Sequence, residues 1–200
     1  MFWIEDHKYE GEWKNDKKEG KGILYYGNGD RYEGHWKNGK RDGKGIMFYN
    51  DGKKYEGEYK NDRRDGKGIM YIENGDKYDG NWKIGLFEER GIFYYNNGNK
   101  YEGEWKNDKK EGKGIIFYNN GNKYEGDWKN GFFDGKGIML YNDGDWKNDM
   151  VEGQGIYYWK NGNRYEDDFK NGLSDGKGIM YYNDGTIKKG IWKNNVYIGE

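Results

Sequence analysis

Rings and glycines alternate with charged residues along short segments of this chain, and the alternation predicts β-strands. In the segment Tyr9–Lys14, the side chains of Tyr9, Gly11 and Trp13 fall on one side, and charged side chains fall on the other. A period of two is the pattern of a strand that packs one face and leaves the other in water. The segment Gly20–Tyr26 is rich in β-forming residues and predicts the partner strand.

The residues between these segments predict two kinds of connection. Asn15–Glu19 has the polar composition of a loop between the two strands of a hairpin. Gly27–Asp30 contains an Asn-Gly pair, which favours a tight turn because both central residues need a positive φ. We therefore expect a two-stranded unit whose tight turn leads into the next unit.

The alternation also predicts what the two faces carry. The large rings of Tyr9 and Trp13 are expected to lie over bare glycine backbone, with charged residues and Ile23 on the opposite face. A bulge at Gly20 or Gly22 would shift this register, so the faces of the second strand stay open at this point. Isoleucine fills the same position in every copy and is a packing residue on either face. These residues are Ile23, Ile46, Ile69, Ile92, Ile115, Ile138, Ile156 and Ile179.

The whole pattern returns every 23 residues, which is the mark of a repeat array. Full repeats begin at Tyr9, Tyr32, Tyr55, Tyr78, Tyr101 and Tyr124. A half repeat at 1–8 precedes them, and a shortened repeat at about 142–164, a repeat from Tyr165 and a partial repeat at 188–200 follow. Residues 1–200 are thus predicted to be a single array.

Hairpins in series predict an all-β fold, an elongated single-layer antiparallel meander of about nine tandem 23-residue hairpin repeats, twisted into a rod or trough. A single layer cannot bury both faces, so one face is expected to form a wet groove lined by rings. The residues assigned to this aromatic groove are Tyr9, Trp13, Tyr32, Trp36, Tyr55, Tyr59, Tyr78, Trp82, Tyr101, Trp105, Tyr124, Trp128 and Trp146.

The segment Tyr32–Gly45 carries Tyr-x-Gly-x-Trp, a short polar loop and Gly-x-Gly, and it resembles the MORN (membrane occupation and recognition nexus) repeat. The resemblance runs over essentially the whole chain. It implies an extended all-β array with a groove and no catalytic centre. It also implies cytoskeletal or ciliary scaffolding, membrane–cytoskeleton bridging or targeting of an attached enzyme, with self-association or a partner peptide or helix held in the groove.

The chain departs from the repeat at a few positions, where a specific role is expected. Glu89 replaces the first glycine of Gly-x-Gly, and Asp167 replaces the glycine of Tyr-x-Gly. The interval from Trp128 to Trp146 is five residues short. The shortening predicts a local kink or altered twist near Asn142–Trp146.

The residues that follow Lys-Asn in each repeat are of two kinds. Basic pairs dominate the first half, at Lys17-Lys18, Lys40-Arg41, Arg63-Arg64 and Lys109-Lys110. Apolar residues occupy the other copies, at Leu86, Phe87, Phe132, Phe133, Met150, Val151, Leu173, Val196 and Tyr197. Exposed apolar residues beside turns favour a partner-binding interface, and the alternative is that they fold back over the strands as caps.

The composition is that of a folded chain without disulfides. Values of 32% hydrophobic and 36% charged residues are by themselves typical of disorder, but 19% aromatic residues supply buried area. The net charge of −1 argues against a nucleic-acid partner, which would select a basic surface. Because the chain has no cysteine, disulfides and thiolate metal sites are excluded.

Candidate catalytic residues are few. Ser174 and Thr186 are the sole hydroxyl residues other than tyrosine, and His7 and His35 are read as surface variants. The carboxylates recur in most repeats, whereas a catalytic site is normally singular. We therefore predict no enzyme activity, no cofactor and no metal site.

The leading hypothesis is a non-enzymatic scaffold that binds protein partners, a second copy of the chain included, in a cytoskeletal or ciliary assembly. The alternatives are a peripheral membrane or phosphoinositide-binding module that uses the basic pairs, and a regulatory array associated with an enzyme. The sequence shows no signal peptide and no apolar run of about 20 residues, so we expect a cytoplasmic location.

Overall fold

The computed structural model describes residues 3–4, 7–140, 153–159, 161–170 and 173–200. All regular secondary structure in these ranges is β-strand. The chain divides into two compact units, Met1–Asn96 with Trp105–Asp108 and Asn97–Glu104 with Lys109–Glu200. The kink predicted at 142–146 lies outside the described residues.

The first unit is an antiparallel meander, because each of its strands pairs antiparallel with the next one along the chain. The strands are β1 (Trp3–Ile4), β2 (His7–Lys14), β3 (Lys17–Tyr25), β4 (Arg31–Lys37), β5 (Lys40–Phe48), β6 (Lys54–Lys60), β7 (Arg63–Tyr71), β8 (Lys77–Lys83) and β9 (Leu86–Tyr94). The predicted all-β hairpin array is confirmed here.

The second unit continues the same strand types. They are β10 (Lys100–Lys106, divided between the units), β11 (Lys109–Phe117), β12 (Lys123–Lys129), β13 (Phe132–Leu140), β14 (Gly153–Tyr158), β15 (Arg164–Lys170), β16 (Leu173–Tyr181), β17 (Ile187–Lys193) and β18 (Val196–Gly199). From β11 to β13 and from β14 to β18, neighbouring strands pair antiparallel as predicted.

One pairing differs from the predicted meander, since β13 and β14 run parallel. Their register joins Gly137 to Gly155 and Leu140 to Tyr158. Both strands carry Gly-x-Gly-Ile and are the second strand of their repeats. In a series of hairpins, all second strands run in the same direction. Two of them placed side by side must therefore pair in parallel.

The tight turn is at the opposite end of the hairpin from the one predicted. Strands β2 and β3 are separated by Asn15 and Asp16 alone, and their φ values of 51° and 57° are typical of a two-residue type I′ turn. The Asn-Gly pair within Gly27–Asp30 instead lies in a five-residue connection, where the amide of Tyr26 donates to the carbonyl of Asp30 at 2.9 Å. Both sites carry residues that tolerate positive φ, so composition alone did not separate them.

The core of each unit is a row of interlocking rings. Tyr32 is fully buried between Trp36 of its own repeat, at 5.2 Å between centroids, and Tyr59 of the next repeat, also at 5.2 Å. Both contacts are edge-to-face, the arrangement that aromatic quadrupoles favour. The indole of Trp36 also donates to the carbonyl of Gly22 at 3.2 Å, so its polar atom is satisfied inside the core.

The register settles the faces of the second strand. A β-bulge interrupts the pairing between Gly34 and Trp36, and on the partner strand Gly43 adopts a φ of 102°. This is the repeat position of Gly20, so the predicted bulge is confirmed. Beyond the bulge Glu33 pairs with Ile46, which places isoleucine on the face opposite the rings.

Candidate functional site

The rings assigned to an open groove form the core instead. Except for Trp13, which is 42% exposed, every described member of that set is buried. They are Tyr9, Tyr32, Trp36, Tyr55, Tyr59, Tyr78, Trp82, Tyr101, Trp105, Tyr124 and Trp128. Trp146 lies outside the described residues. The location of the groove is thereby corrected, because rings that pack edge-to-face against one another leave no channel between them.

A second layer covers these rings at one position of the repeat, which we call the cap position. It is the second residue of the second strand in each hairpin: Lys18, Arg41, Arg64, Phe87, Lys110, Phe133, Ser174 and Tyr197. The guanidinium carbon of Arg64 lies 4.4 Å from the centroid of Trp82. The ring of Phe87 stacks on Tyr78 at 3.7 Å with an interplanar angle of 14°. A cation and a ring therefore serve the same purpose at this position.

Burial shifts the pKa values of the cap amines and of the rings beneath them. Lys110 lies 5.0 Å from the Tyr101 centroid and 4.6 Å from the Trp128 centroid, and burial lowers the pKa of its amine to about 8. Burial likewise lowers the pKa of Lys18. It raises the pKa of Tyr9 to about 12, because an apolar environment disfavours the phenolate.

The residue before each cap points away from the core. Phe132 is 76% exposed and Val196 is 61% exposed, whereas Leu86 is less exposed at 38% and Leu173 is half-buried. The predicted partner-binding set therefore contains two groups of residues. Phe87, Phe133 and Tyr197 pack on rings of the core, and the residue before each of them points outward. Met150 and Val151 lie outside the described residues. Partner binding by the outward residues stays a prediction.

The open depression of the first unit lies on the face opposite the rings, and we call it the trough. Its volume is about 860 Å³. Its floor combines the half-buried side chains of Ile23, Ile46 and Ile69 with glycine backbone. Charged and polar side chains flank the floor, at Lys21, Lys44, Lys67, Glu33, Glu56, Glu58, Asp79 and His35.

Glycine shapes both sides of the sheet at this place. Directly paired glycines cross the first unit from strand to strand, at Gly11, Gly22, Gly34, Gly45, Gly57, Gly68, Gly80 and Gly91. On the core side the space above them is filled by the tyrosines that begin the repeats, Tyr9, Tyr32, Tyr55 and Tyr78. On the other side the same row leaves bare backbone between the flanking side chains, which makes part of the trough floor.

Two carboxylates of the trough, Glu33 and Glu56, pair with cations on their own strands. Arg31 contacts Glu33 at 2.8 Å, and Lys54 contacts Glu56 at 3.3 Å. Arg31 in turn lies 4.4 Å from the centroid of Phe48. This row of pairs stands in half-exposed positions, where each pair contributes about 1 kcal/mol or less, so it positions charge more than it stabilises the fold.

The sequence contains a signal for the trough, although the groove was assigned to the face that carries the rings. Isoleucine in every repeat on the charged face, next to Glu33 and its equivalents, marks an apolar stripe that the repeat covers only in part. The glycine row marks thin backbone. These two patterns together predict a channel on the Ile46 face.

The chemistry available in the described residues is limited. The Nδ1 atom of His35 lies 3.0 Å from the carbonyl oxygen of Lys44, and Ser174 is buried. Across the ranges that the structure describes, no cluster of three or more His, Asp or Glu is placed to hold a metal ion. The same ranges contain no helix of the length and hydrophobicity needed to cross a membrane.

The fold and its repeating caps define an all-β hairpin-repeat protein. The MORN repeat profile matches eight successive segments, at residues 9–31, 32–54, 55–77, 78–100, 101–123, 124–145, 143–164 and 168–187. The chain belongs to the MORN repeat family. Repeats of this family are scaffold or binding modules, as the resemblance implied.

The solved structures that match this chain include TCP domains of two proteins, CPAP and SAS-4. The TCP10 domain of Danio rerio CPAP is 13% identical, with 86% of this chain and 83% of that chain covered and a TM-score of 0.47. The Drosophila melanogaster SAS-4 TCP domain, solved with a proline-rich motif of Ana2, is also 13% identical, with coverage of 86% and 84% and a TM-score of 0.44. No curated protein sequence matches the chain significantly.

Proposed function

We propose that this protein is a non-enzymatic scaffold that binds a segment of a partner protein in the trough of its first unit, within a cytoskeletal or ciliary assembly. The observation that carries the proposal is the trough itself. Its apolar floor of Ile23, Ile46 and Ile69 is left uncovered by the repeat, while the rings on the other face are buried.

The lining of the trough suits a polypeptide. Isoleucine side chains and glycine backbone can take apolar side chains, and the charged rows at the sides can pair with polar groups of a bound segment. The rows of isoleucine, glycine and charged side chains repeat from strand to strand. An extended segment that lies across the strands therefore meets the same chemistry at each repeat. This periodicity favours a scaffold over a single-substrate site.

The alternative of a peripheral membrane module has less support at the basic pairs. Lys18, Arg41 and Arg64 each lie over buried rings, and Arg41 also donates from Nη2 to the carbonyl of Asp62 at 2.8 Å. One residue of each basic pair in this unit therefore packs on the core. Cations engaged in this way are less available to lipid headgroups than the sequence suggested.

The test is amine-reactive cross-linking of the tagged protein in native lysate, followed by mass spectrometry. Lys21, Lys44 and Lys67 are exposed amines on the trough, so a bound partner should cross-link to them. Ile46→Asp should remove these cross-links. Ile115→Asp, at the same repeat position in the second unit, is the matched control and should retain them. Cross-links unaffected by Ile46→Asp would contradict the proposal.

A further inference from the structure

The two-residue turn between β8 and β9 differs from the other described turns of its kind in its first residue. Ile84 adopts a φ of 53° there and is 54% exposed. Asparagine takes this position in the other described two-residue turns, at Asn15, Asn38, Asn61, Asn107, Asn130 and Asn194. A β-branched residue at positive φ is strained, and its exposed side chain recovers little by burial. Such a cost at an exposed site points to a role outside folding.

Ile84 borders a cavity of about 740 Å³ at the turn edge of β5–β9, which we call the edge cavity. Four cations line it, namely Lys40, Lys60, Arg63 and Lys83, and all are exposed. Within the part of the chain that the structure describes, none of these four forms an ion pair or lies over a ring. Their charge is therefore available to a ligand.

The carboxylates of the edge cavity are already engaged. Asp65 accepts from the amide of Ile84 at 3.4 Å, and Glu88 accepts from the amide of Asn107 at 3.0 Å. Glu89 accepts from the side-chain amide of Asn81 at 3.3 Å. The lining carries four cations against three carboxylates, a net charge of +1 (4 − 3), and its carboxylates are held by hydrogen bonds from neutral amides. The unpaired cations are therefore the groups that a negatively charged ligand would contact.

We propose that the edge cavity binds an acidic segment of a partner protein, in which carboxylates surround a large apolar side chain. The carboxylates would pair with Lys40, Lys60, Arg63 and Lys83, and the apolar side chain would contact Ile84. This goes beyond the scaffold function assigned to the trough, because the two cavities share no lining residue.

The shape of the site favours a polypeptide over a bilayer. The cations surround a concavity, which a short segment can enter and a planar lipid surface cannot. The exposed apolar side chains of Ile84 and Leu86 at the same turn add a contact that a simple polyanion would not use. Charge complementarity with an apolar centre therefore selects an acidic, amphipathic segment.

The test is fluorescence anisotropy of the full chain with a labelled peptide in which two leucines lie between pairs of glutamates. We expect micromolar binding that weakens with added salt. The double variant Lys60→Glu with Arg63→Glu should weaken it about tenfold or more. Ile84→Asn, which restores the residue that the turn prefers, should keep the fold and weaken binding several-fold.

Matched controls separate this site from general electrostatics and from the trough. Lys109→Glu with Lys129→Glu makes the same change in net charge in the second unit, and Ile46→Asp alters the trough. Both should bind the peptide like the unmodified protein, so failure of one proposal leaves the other intact. A peptide with glutamine in place of glutamate should not bind.

Three results would overturn the proposal. The first is no binding of the glutamate peptide, and the second is equal binding to Lys60→Glu with Arg63→Glu and to the unmodified chain. The third is retention of the protein on vesicles of phosphatidylserine and phosphatidylcholine through these same cations without peptide binding, which would make the site a lipid contact. Circular dichroism of each variant confirms that it is folded.

Discussion

The ring of Tyr32 lies directly across the backbone of Gly45. A Cβ atom built on that glycine would stand 2.3 Å from the Tyr32 hydroxyl oxygen and 2.5 Å from two ring carbons. The hydroxyl group itself donates to the carbonyl of His35 at 3.1 Å, so the ring is fixed at both ends. This one contact links the Tyr-x-Gly and Gly-x-Gly halves of the repeat.

Gly45→Ala is therefore expected to destabilise the protein by about 2–3 kcal/mol, because a buried, hydrogen-bonded ring cannot move aside cheaply. Urea unfolding followed by tryptophan fluorescence measures the change. Gly52→Ala is the control, since its φ of 84° makes alanine strained but nothing lies within 4 Å of the added atom. It should cost about 1 kcal/mol. Equal losses for the two variants would contradict the packing argument.

Glu89 offers the opposite case, a side chain where the repeat prefers none. Its φ is 56°, at the bulge position that glycine fills in most repeats. Glu89→Gly should stabilise the protein by about 1 kcal/mol, since a residue with a Cβ is disfavoured in this conformation and the lost bond to Asn81 is long and exposed. Chemical denaturation measures the change. A loss of stability would show that the Asn81 contact outweighs the backbone strain.

The strands could be predicted because their signals are local. The alternation at Tyr9, Gly11 and Trp13 and the glycine at the bulge determine which side chains share a face, and the structure follows them. The end of the hairpin that turns tightly could not be predicted in the same way. Asn15-Asp16 and Asn28-Gly29 both accept positive φ. The pairing between strands decides which of these two segments forms the two-residue turn.

The candidate site was less predictable, because alternation does not show which face becomes covered. The rings were expected to line a groove, yet Arg64 and Phe87 cover them from the start of the following strand. Those contacts depend on the two-residue turn, which brings the cap position over the ring row. Once that turn is misplaced, the open face is assigned to the wrong side of the sheet.

Buried tyrosines predict unfolding at high pH. Burial raises the pKa of Tyr9, Tyr124 and Tyr165 to about 12, and it also raises the pKa of Tyr32 and Tyr55. Between pH 10 and 12 the folded state keeps protons that the unfolded state, with a tyrosine pKa of about 10, releases. The free energy of unfolding is therefore unaffected below pH 10 and falls as pH rises above it.

We expect cooperative loss of structure near pH 11, measured by circular dichroism together with tyrosinate absorbance. The two signals should change at the same pH, because the phenolates form when the core opens. Tyr124→Phe removes one of these groups and should make the pH dependence shallower, although it loses a hydrogen bond to the carbonyl of Asp127 at 3.1 Å. Tyrosinate absorbance that rises fully before any structural change would refute burial as the cause.

Phe132 and Phe133 are adjacent in sequence but should respond differently to substitution. Phe133 is a cap whose ring lies 3.9 Å from Tyr124 and 4.6 Å from Trp128, so Phe133→Asp should destabilise the protein by about 2–3 kcal/mol. Phe132 is 76% exposed, and Phe132→Asp should change the free energy of unfolding by about 0.5 kcal/mol or less. Thermal unfolding distinguishes the two.

The same pair tests the outward residues as a partner surface. If Phe132 belongs to an interface, Phe132→Asp should lose cross-linked partners from native lysate while the protein remains as stable as before. Lys109→Asp, which changes the outward residue of the preceding repeat, is the control and should retain them. Loss of partners with Phe133→Asp alone would instead trace the effect to unfolding, because that side chain holds the rings of Tyr124 and Trp128 in place.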